Sequence, residues 1–196
     1  VIFAPSENEM YPVDLPFDPM PLGKIGQLLE GAHRPGHFEG VVHVVHHLFA
    51  LVQPHAAYFG QKDFQQLAII RLLNQYYGFG IDIIGCETIR ESDGLAMSSR
   101  NRYLTPDERA AAAVLPKALA TAAQSIATGL QPVWLAKSVV EDELQLAGFR
   151  IDYIDVVDAE TLVSIEALTD RPARILVAAR IGTTRLIDNM AVTPAP

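Results

Sequence analysis

The 196-residue sequence holds a single cysteine, Cys86, so no internal disulfide can form and the chain suits a reducing compartment. That cysteine falls in the apolar run 81–89. A nucleophilic thiol would need a basic neighbour to lower its pKa, so Cys86 reads as buried and inert. Positive charge is in deficit, with 15 Lys and Arg against 23 Asp and Glu and a net charge of −8. Such a surface repels nucleic acid and anionic membrane as a whole, and any anion has to be held by a local cluster of cations. No run approaches the roughly 20 apolar residues of a membrane span, and no basic-then-apolar signal opens the sequence. Internal repeats and low-complexity tracts are absent. The first residue is not methionine, and residues 1–5 read as the end of a buried strand, which sets the expectation that the amino-terminal part of the fold precedes them.

What is present suffices for a real core: 49% of the residues are hydrophobic and 19% charged, which fits one large or two small globular domains. Residues 5–21 carry five prolines and read as a long irregular loop of the kind that tends to be functional. Phe38, Val41, Val42, Val45, Leu48, Phe49 and Val52 recur at helical spacing on one face, and Pro54 ends that helix. A strand over 56–59, a helix over 63–77 closed by Gly78 and a strand over 81–86 continue the rhythm of a parallel α/β sheet. Thr105-Pro106-Asp107-Glu108 then has the form of a capping box with proline at the first helical position. The alanine-rich helix after it is interrupted by Pro116 and ends at Gly129, and another spans 132–147. Short β segments over 151–157, 174–180 and 184–191 complete the chain. The expectation is a Rossmann-like parallel sheet over 1–103 and a small α+β domain over 104–196, hinged around 101–104.

Two stretches carry the chemistry. Gly60-Gln61-Lys62-Asp63 leaves a strand and opens a helix, where parallel-sheet proteins bind ligands above the carboxyl ends of their strands. A helix start disfavours a cation unless an anion sits there too, so Lys62 reads as a phosphate ligand as well as a surface lysine. Asp63, with Gln66 three residues on, has the spacing of a capping pair, which spacing alone favours. Met97-Ser98-Ser99-Arg100 follows a flexible Asp93-Gly94 and places two hydroxyls and a guanidinium in consecutive positions. Alone it is an ordinary polar loop, whereas with Lys62 it supplies the donors and fixed charges a polyphosphate needs. Arg34 and His37 read, from spacing, as the turn at the start of a helix. His43, His46 and His47 stand at i, i+3, i+4, but they project opposite the apolar face and lack the Glu of a His-Glu-x-x-His site, so they read as a solvated face and not a metal site.

The strings Phe3-Ala4-Pro5, Arg34-Pro35-Gly36-His37-Phe38-Glu39-Gly40, Tyr58-Phe59-Gly60-Gln61-Lys62-Asp63-Phe64-Gln65-Gln66-Leu67, Arg90-Glu91-Ser92-Asp93-Gly94-Leu95-Ala96-Met97-Ser98-Ser99-Arg100-Asn101-Arg102-Tyr103-Leu104 and Ala178-Ala179-Arg180-Ile181-Gly182-Thr183-Thr184-Arg185-Leu186-Ile187-Asp188-Asn189 together resemble the pantothenate synthetases, or pantoate–β-alanine ligases. The resemblance implies a cytoplasmic, homodimeric ligase that condenses pantoate with β-alanine at the expense of ATP through a pantoyl-adenylate, in a fold similar to class I aminoacyl-tRNA synthetases. It implies that Lys62 with Ser98, Ser99 and Arg100 meets the phosphates, that Asp63 and Gly60 lie near the ribose, with Gln61 in the same nucleotide loop, and that backbone groups of Ile89 and Met97 meet adenine. Gln66 would hydrogen-bond pantoate, and Arg34 with His37 would border the pocket where the amine arrives. Magnesium would bridge phosphate oxygens. The carboxy-terminal domain would close over the site, with Gly94 and 101–104 absorbing the motion.

The family's His-x-Gly-His segment is absent from these residues. The expectation is that they are nearly or wholly inactive alone, and pantoate-dependent pyrophosphate release at an ordinary enzyme rate would contradict it. The histidines at 43–47 also depart from the family's usual threonine and lysine. Two rival readings are a nucleotidyltransferase of the same superfold acting on an alcohol phosphate, and a non-catalytic fragment that binds nucleotide or mediates association.

Overall fold

The computed structural model describes residues 2–11 and 17–194, and these fall into two compact units, one with the described residues up to Gly60 and Gln65–Cys86, the other with Gln61–Phe64 and the described residues from Glu87 on. The compact units thus divide after Cys86, unlike the division expected at 103/104, because residues 87–103 pack with the carboxy-terminal part of the chain.

In the first unit the proline-rich stretch contains a regular element after all. Helix α1 (Glu7–Met10) is a single turn in which Glu9 Oε2 accepts from both the Ser6 N–H at 2.8 Å and the Ser6 hydroxyl at 2.7 Å. Ser6-Glu7-Asn8-Glu9 is itself a capping-box spelling, which the neighbouring prolines hide. Residues 2–5 form no strand, and Ile2 is almost fully exposed, since no described strand pairs with them. After α2 (Leu29–His33) comes α3 (His37–Val52), whose Phe38, Val42, Val45 and Phe49 are buried one turn apart. It ends where Gln53 turns left-handed before Pro54.

Strand β1 (Ala56–Gly60) and strand β2 (Asp82–Cys86) pair in parallel, with Tyr58 opposite Ile84. Parallel neighbours need a crossover, and α4 (Phe64–Tyr77) supplies it. Its Ile69, Ile70 and Leu73 join the α3 residues in one core. Asn74 fixes the return to the sheet, donating to Ile81 O at 2.9 Å and accepting from Ile81 N at 3.1 Å. Burial alternates along β2 and leaves Cys86 exposed on the same face as Ile84, so the thiol expected to be buried is not. An apolar run marks a strand without saying that both of its faces are covered.

His43, His46 and His47 of α3 do not form a solvated face. His47 is buried, and the Tyr11, Phe17, Tyr77 and Phe79 rings surround the trio; Phe17 stacks on His43 at 4.4 Å, and Tyr77 sits 4.4 Å from His46. Residues distant in sequence fold onto that side of α3, which the helix's own periodicity does not encode. Among the described residues no group of three or more His, Cys, Asp or Glu could hold a metal ion.

The second unit is an antiparallel sheet in the order β3 (Arg150–Asp158), β4 (Ala173–Ile181), β5 (Thr184–Val192), with α6 (Val114–Ala127) against β5 and α7 (Val133–Leu146) against β3. Leu115, Leu119, Val140, Leu144, Ile175 and Val177 make the centre of its core. The capping box forms as spelled, with Glu108 N donating to Thr105 Oγ1 at 3.3 Å and Thr105 N to Glu108 Oε2 at 2.8 Å, and it opens α5 (Pro106–Ala112). The break falls at Ala113, so Pro116 sits in the first turn of α6, where its missing N–H costs nothing. The run Pro106–Ala127 does reach the length and apolarity of a membrane span. Its Leu115, Leu119, Ala122 and Ile126 are core residues beneath α7 and the sheet. Strands β4 and β5 are joined by a two-residue hairpin whose first loop residue, Gly182, has φ +53°, the left-handed conformation such turns require.

Candidate nucleotide site

Strand β1 ends at Gly60, the chain makes a 3-10 turn over Gln61–Asp63, and α4 begins at Phe64. Asp63 is therefore inside that turn and exposed, and among the described residues no bond from Gln66 completes the expected capping pair. A methyl group at Gly60 would meet nothing within 4 Å. Neither packing nor a positive φ calls for glycine there, whereas the approach of a ligand would. Lys62 is half-buried.

The second stretch is built as a braced hairpin followed by a cap. Arg90 and Ala96 form an antiparallel bridge, and Met97 N donates to Ile89 O at 2.9 Å. The backbones of Ile89 and Met97 are thus side by side, already joined by one bond. The turn between them is held from outside. Arg109 pairs with Glu91 at 2.7 Å and with both oxygens of Asp93, one of them at 2.9 Å, while Asn101 Nδ2 donates to Glu91 Oε1 at 2.5 Å and to Ala96 O at 3.1 Å. The Asn101 bond and then the Arg109 guanidinium hold Glu91 below the usual carboxylate range, and Arg109 does the same to Asp93. The Asp93-Gly94 turn read as flexible is pinned on both sides.

Ser98 then caps the 3-10 turn Ser99–Tyr103, its Oγ accepting from Arg100 N at 3.2 Å. That bond uses a lone pair and leaves the hydroxyl hydrogen free to donate. Within the second unit, Lys62, Ser98 and Arg100 line one narrow cavity together with Asn101, Leu95, Ala96, Leu115 and the β5 residues Arg185, Leu186 and Ile187. Ser99 is exposed and is not among the lining residues. Lys62, Ser98 and Arg100, three of the residues singled out in the sequence, thus line one cavity. Arg185, the other basic residue of the lining, has its guanidinium paired with Asp152 at 2.6 Å. The Asn101 Oδ1 is buried without a partner among the described residues.

Gln61 is committed elsewhere: its side-chain Oε1 accepts from Arg174 at 3.2 Å. In the first unit, Arg34 makes a loose pair with Glu30 at 3.7 Å, and the His37 ring lies 5.0 Å from that of Phe38. Gln66 is half-buried on the first turn of α4. Its neighbour Gln65, passed over in the sequence, is the buried one. It donates to Ile25 O at 2.7 Å and Leu28 O at 2.9 Å and accepts from Glu30 N at 3.0 Å, tying down the loop before α2. Arg185, Asp188 and Asn189 were also passed over, although they stand in one of the recognised strings.

The model of the pantoate-β-alanine ligase family matches residues 1–191. A pantothenate synthetase of Rubrobacter xylanophilus is 46% identical over 198 residues, covering 97% of this chain and 68% of that protein. The crystal structure of pantothenate synthetase from Thermus thermophilus superposes with a TM-score of 0.91 at 44% identity, over 98% of this chain and 69% of that one. A pantoate-β-alanine ligase from Francisella tularensis, solved with β-γ ATP and β-alanine, gives a TM-score of 0.72 at 31% identity, over 95% of this chain and 62% of that one. With a strand–turn–helix lysine and a capped Ser-Ser-Arg turn meeting at one cavity, and with likeness running through nearly all of its sequence and fold, the chain belongs to the pantoate–β-alanine ligase family.

Proposed function

We propose that this chain works in the ATP-dependent condensation of pantoate with β-alanine. A pantoate carboxylate oxygen attacks the α-phosphorus, the bond to the β-phosphate oxygen breaks, and pyrophosphate leaves with the electron pair. The β-alanine amine then attacks the acyl carbon of the pantoyl-adenylate, AMP leaves, and the amine loses a proton. The first step brings two anions together, so fixed positive charge and hydrogen-bond donors at the phosphates have the most to contribute. The second needs positioning and exclusion of water.

The observation that carries this reading is the meeting of Lys62, Ser98 and Arg100 at one cavity in a chain whose net charge is −8, where cations gathered at one point need a reason. Lys62 and Arg100 take the phosphate charge, Ser98 donates its hydroxyl hydrogen, and Ser99, exposed on the same turn, acts on the outer phosphates. Gly60 and Asp63 face the ribose, and the Ile89 N–H and Met97 C=O, the groups left over from their mutual bond, meet adenine. Gln66 holds pantoate, and Arg34 and His37 border the amine's approach. Magnesium would enter with the nucleotide and supply further neutralisation of phosphate charge, which suits a hard ion that keeps most of its water and needs no protein cage. The working form is a cytoplasmic homodimer.

Titration calorimetry with ATP tests the phosphate assignment. Lys62→Ala and Arg100→Ala should each weaken ATP binding about tenfold, the loss of one charge-assisted contact. Unchanged affinity in both variants would overturn it.

A further inference from the structure

The cavity has a lining but also a frame, and the frame is two consecutive residues of β5. Asn189 is 3% exposed, and its side-chain amide is fully used. Nδ2 donates one hydrogen to Gln61 O at 3.0 Å and the other to Lys62 O at 2.8 Å, and Oδ1 accepts from Arg174. Arg174, on β4, in turn donates to Gln61 Oε1 and lies over the Phe64 ring at 4.2 Å, so residues 61–64 are seated on β4 and β5. Asp188, 2% exposed, serves the other wall. It takes Arg90 in a two-pronged pair at 2.6 and 3.0 Å, and Arg90 also donates to Gly94 O at 3.1 Å inside the hairpin that delivers Met97 and Ser98. The two walls are joined at the centre, since Asp188 Oδ1 also accepts the Asn189 N–H at 2.7 Å.

We propose that Asp188 and Asn189 are positioning residues for the phosphate site: they fix the distance between Lys62 and the 98–100 turn, Asn189 through the peptides of residues 61 and 62, Asp188 through Arg90. The inference rests on the phosphate reading of Lys62 given above. Neither side chain lines the cavity, so both act through the groups they hold. The arrangement is more than a satisfied polar core. Both carbonyls bonded by Asn189 belong to the short turn that carries Lys62, and a backbone fixed at residues 61 and 62 limits where the Lys62 ammonium can reach. Hydrogen bonds from a buried amide leave that turn no alternative partner of equal quality.

The test is a double-mutant cycle read by calorimetry on the 196-residue chain, with ATP as ligand and adenosine as the phosphate-free control. Asn189→Ala should weaken ATP binding five- to tenfold and leave adenosine binding unchanged, and in a Lys62→Ala background the same substitution should weaken ATP binding less than twofold further. Should Asn189→Ala fail to fold by circular dichroism, Asn189→Ser, which keeps one donor, replaces it, with an expected loss of two- to fivefold. Equal loss for ATP and adenosine, no loss, or full additivity with Lys62→Ala would each overturn the positioning role. If Lys62→Ala itself leaves ATP affinity unchanged, the phosphate reading falls, and this inference falls with it.

Discussion

Replacing His46 by phenylalanine should both stabilise the first unit and make it less sensitive to acid. The His46 Nδ1 is buried without a hydrogen-bond partner among the described residues, and the rings of Tyr77, Phe17 and Phe79 lie 4.4, 5.0 and 5.4 Å away. A buried polar atom left unpaired costs ~1–3 kcal/mol, and a phenyl ring fills similar space without it, so a gain on the order of 1 kcal/mol remains after some repacking. The acid effect has its own sign. Burial, then the charge of neighbouring His47, holds His46 below the usual histidine value, and the same two causes lower His43. Unfolded imidazoles titrate near pH ~6.5. As pH falls through that value the unfolded chain takes up protons that the folded unit refuses. Stability is therefore complete above that pH and drains below it, with a ceiling of about 1.4 kcal/mol per histidine per pH unit. Removing His46 removes one of the two contributions. Urea denaturation at pH 7.5 and 5.5, followed through amide exchange in α3 because the two units need not unfold together, reads both effects. A variant that is weaker than the parent at pH 7.5, or that loses as much stability on acidification, refutes the reasoning.

Gln65→Ala should destabilise the loop before α2 by about 2–3 kcal/mol, because it strips partners from two carbonyls and from the Glu30 N–H; unchanged exchange of the Glu30 amide would contradict this. Gly182→Ala should cost about 1–2 kcal/mol, since a methyl group there is strained by the positive φ and falls on Glu108 Oε1, displacing the partner of Thr105 N. If so, adding Glu108→Ala should cost less in that variant than in the parent, and additive losses in thermal unfolding would show the contact to be irrelevant.

Local features were legible in the sequence and distant pairings were not. The Thr105–Glu108 box, the helical face of Phe38, Val42, Val45 and Phe49, and the end of α4 at Gly78 are each written in a few neighbouring residues, and each appears as read. Lys62 and the 98–100 turn could be paired because a strand–helix unit has a known shape. The same local rules misled at α3, whose polar face is covered by the rings of Tyr11, Phe17, Tyr77 and Phe79. They were silent on Asn189, which meets its partners 127 and 128 residues away. In sequence it is one amide beside Asp188, and only the closing of β5 onto the 61–64 turn gives it a task.

The position of Cys86 has a practical side. A lone thiol at the open end of β2 is a ready handle, since one maleimide dye would attach at one place on each molecule with no engineering. The same openness means that two copies can couple through sulfur in air, so any measurement of subunit number has to be made with a reductant present.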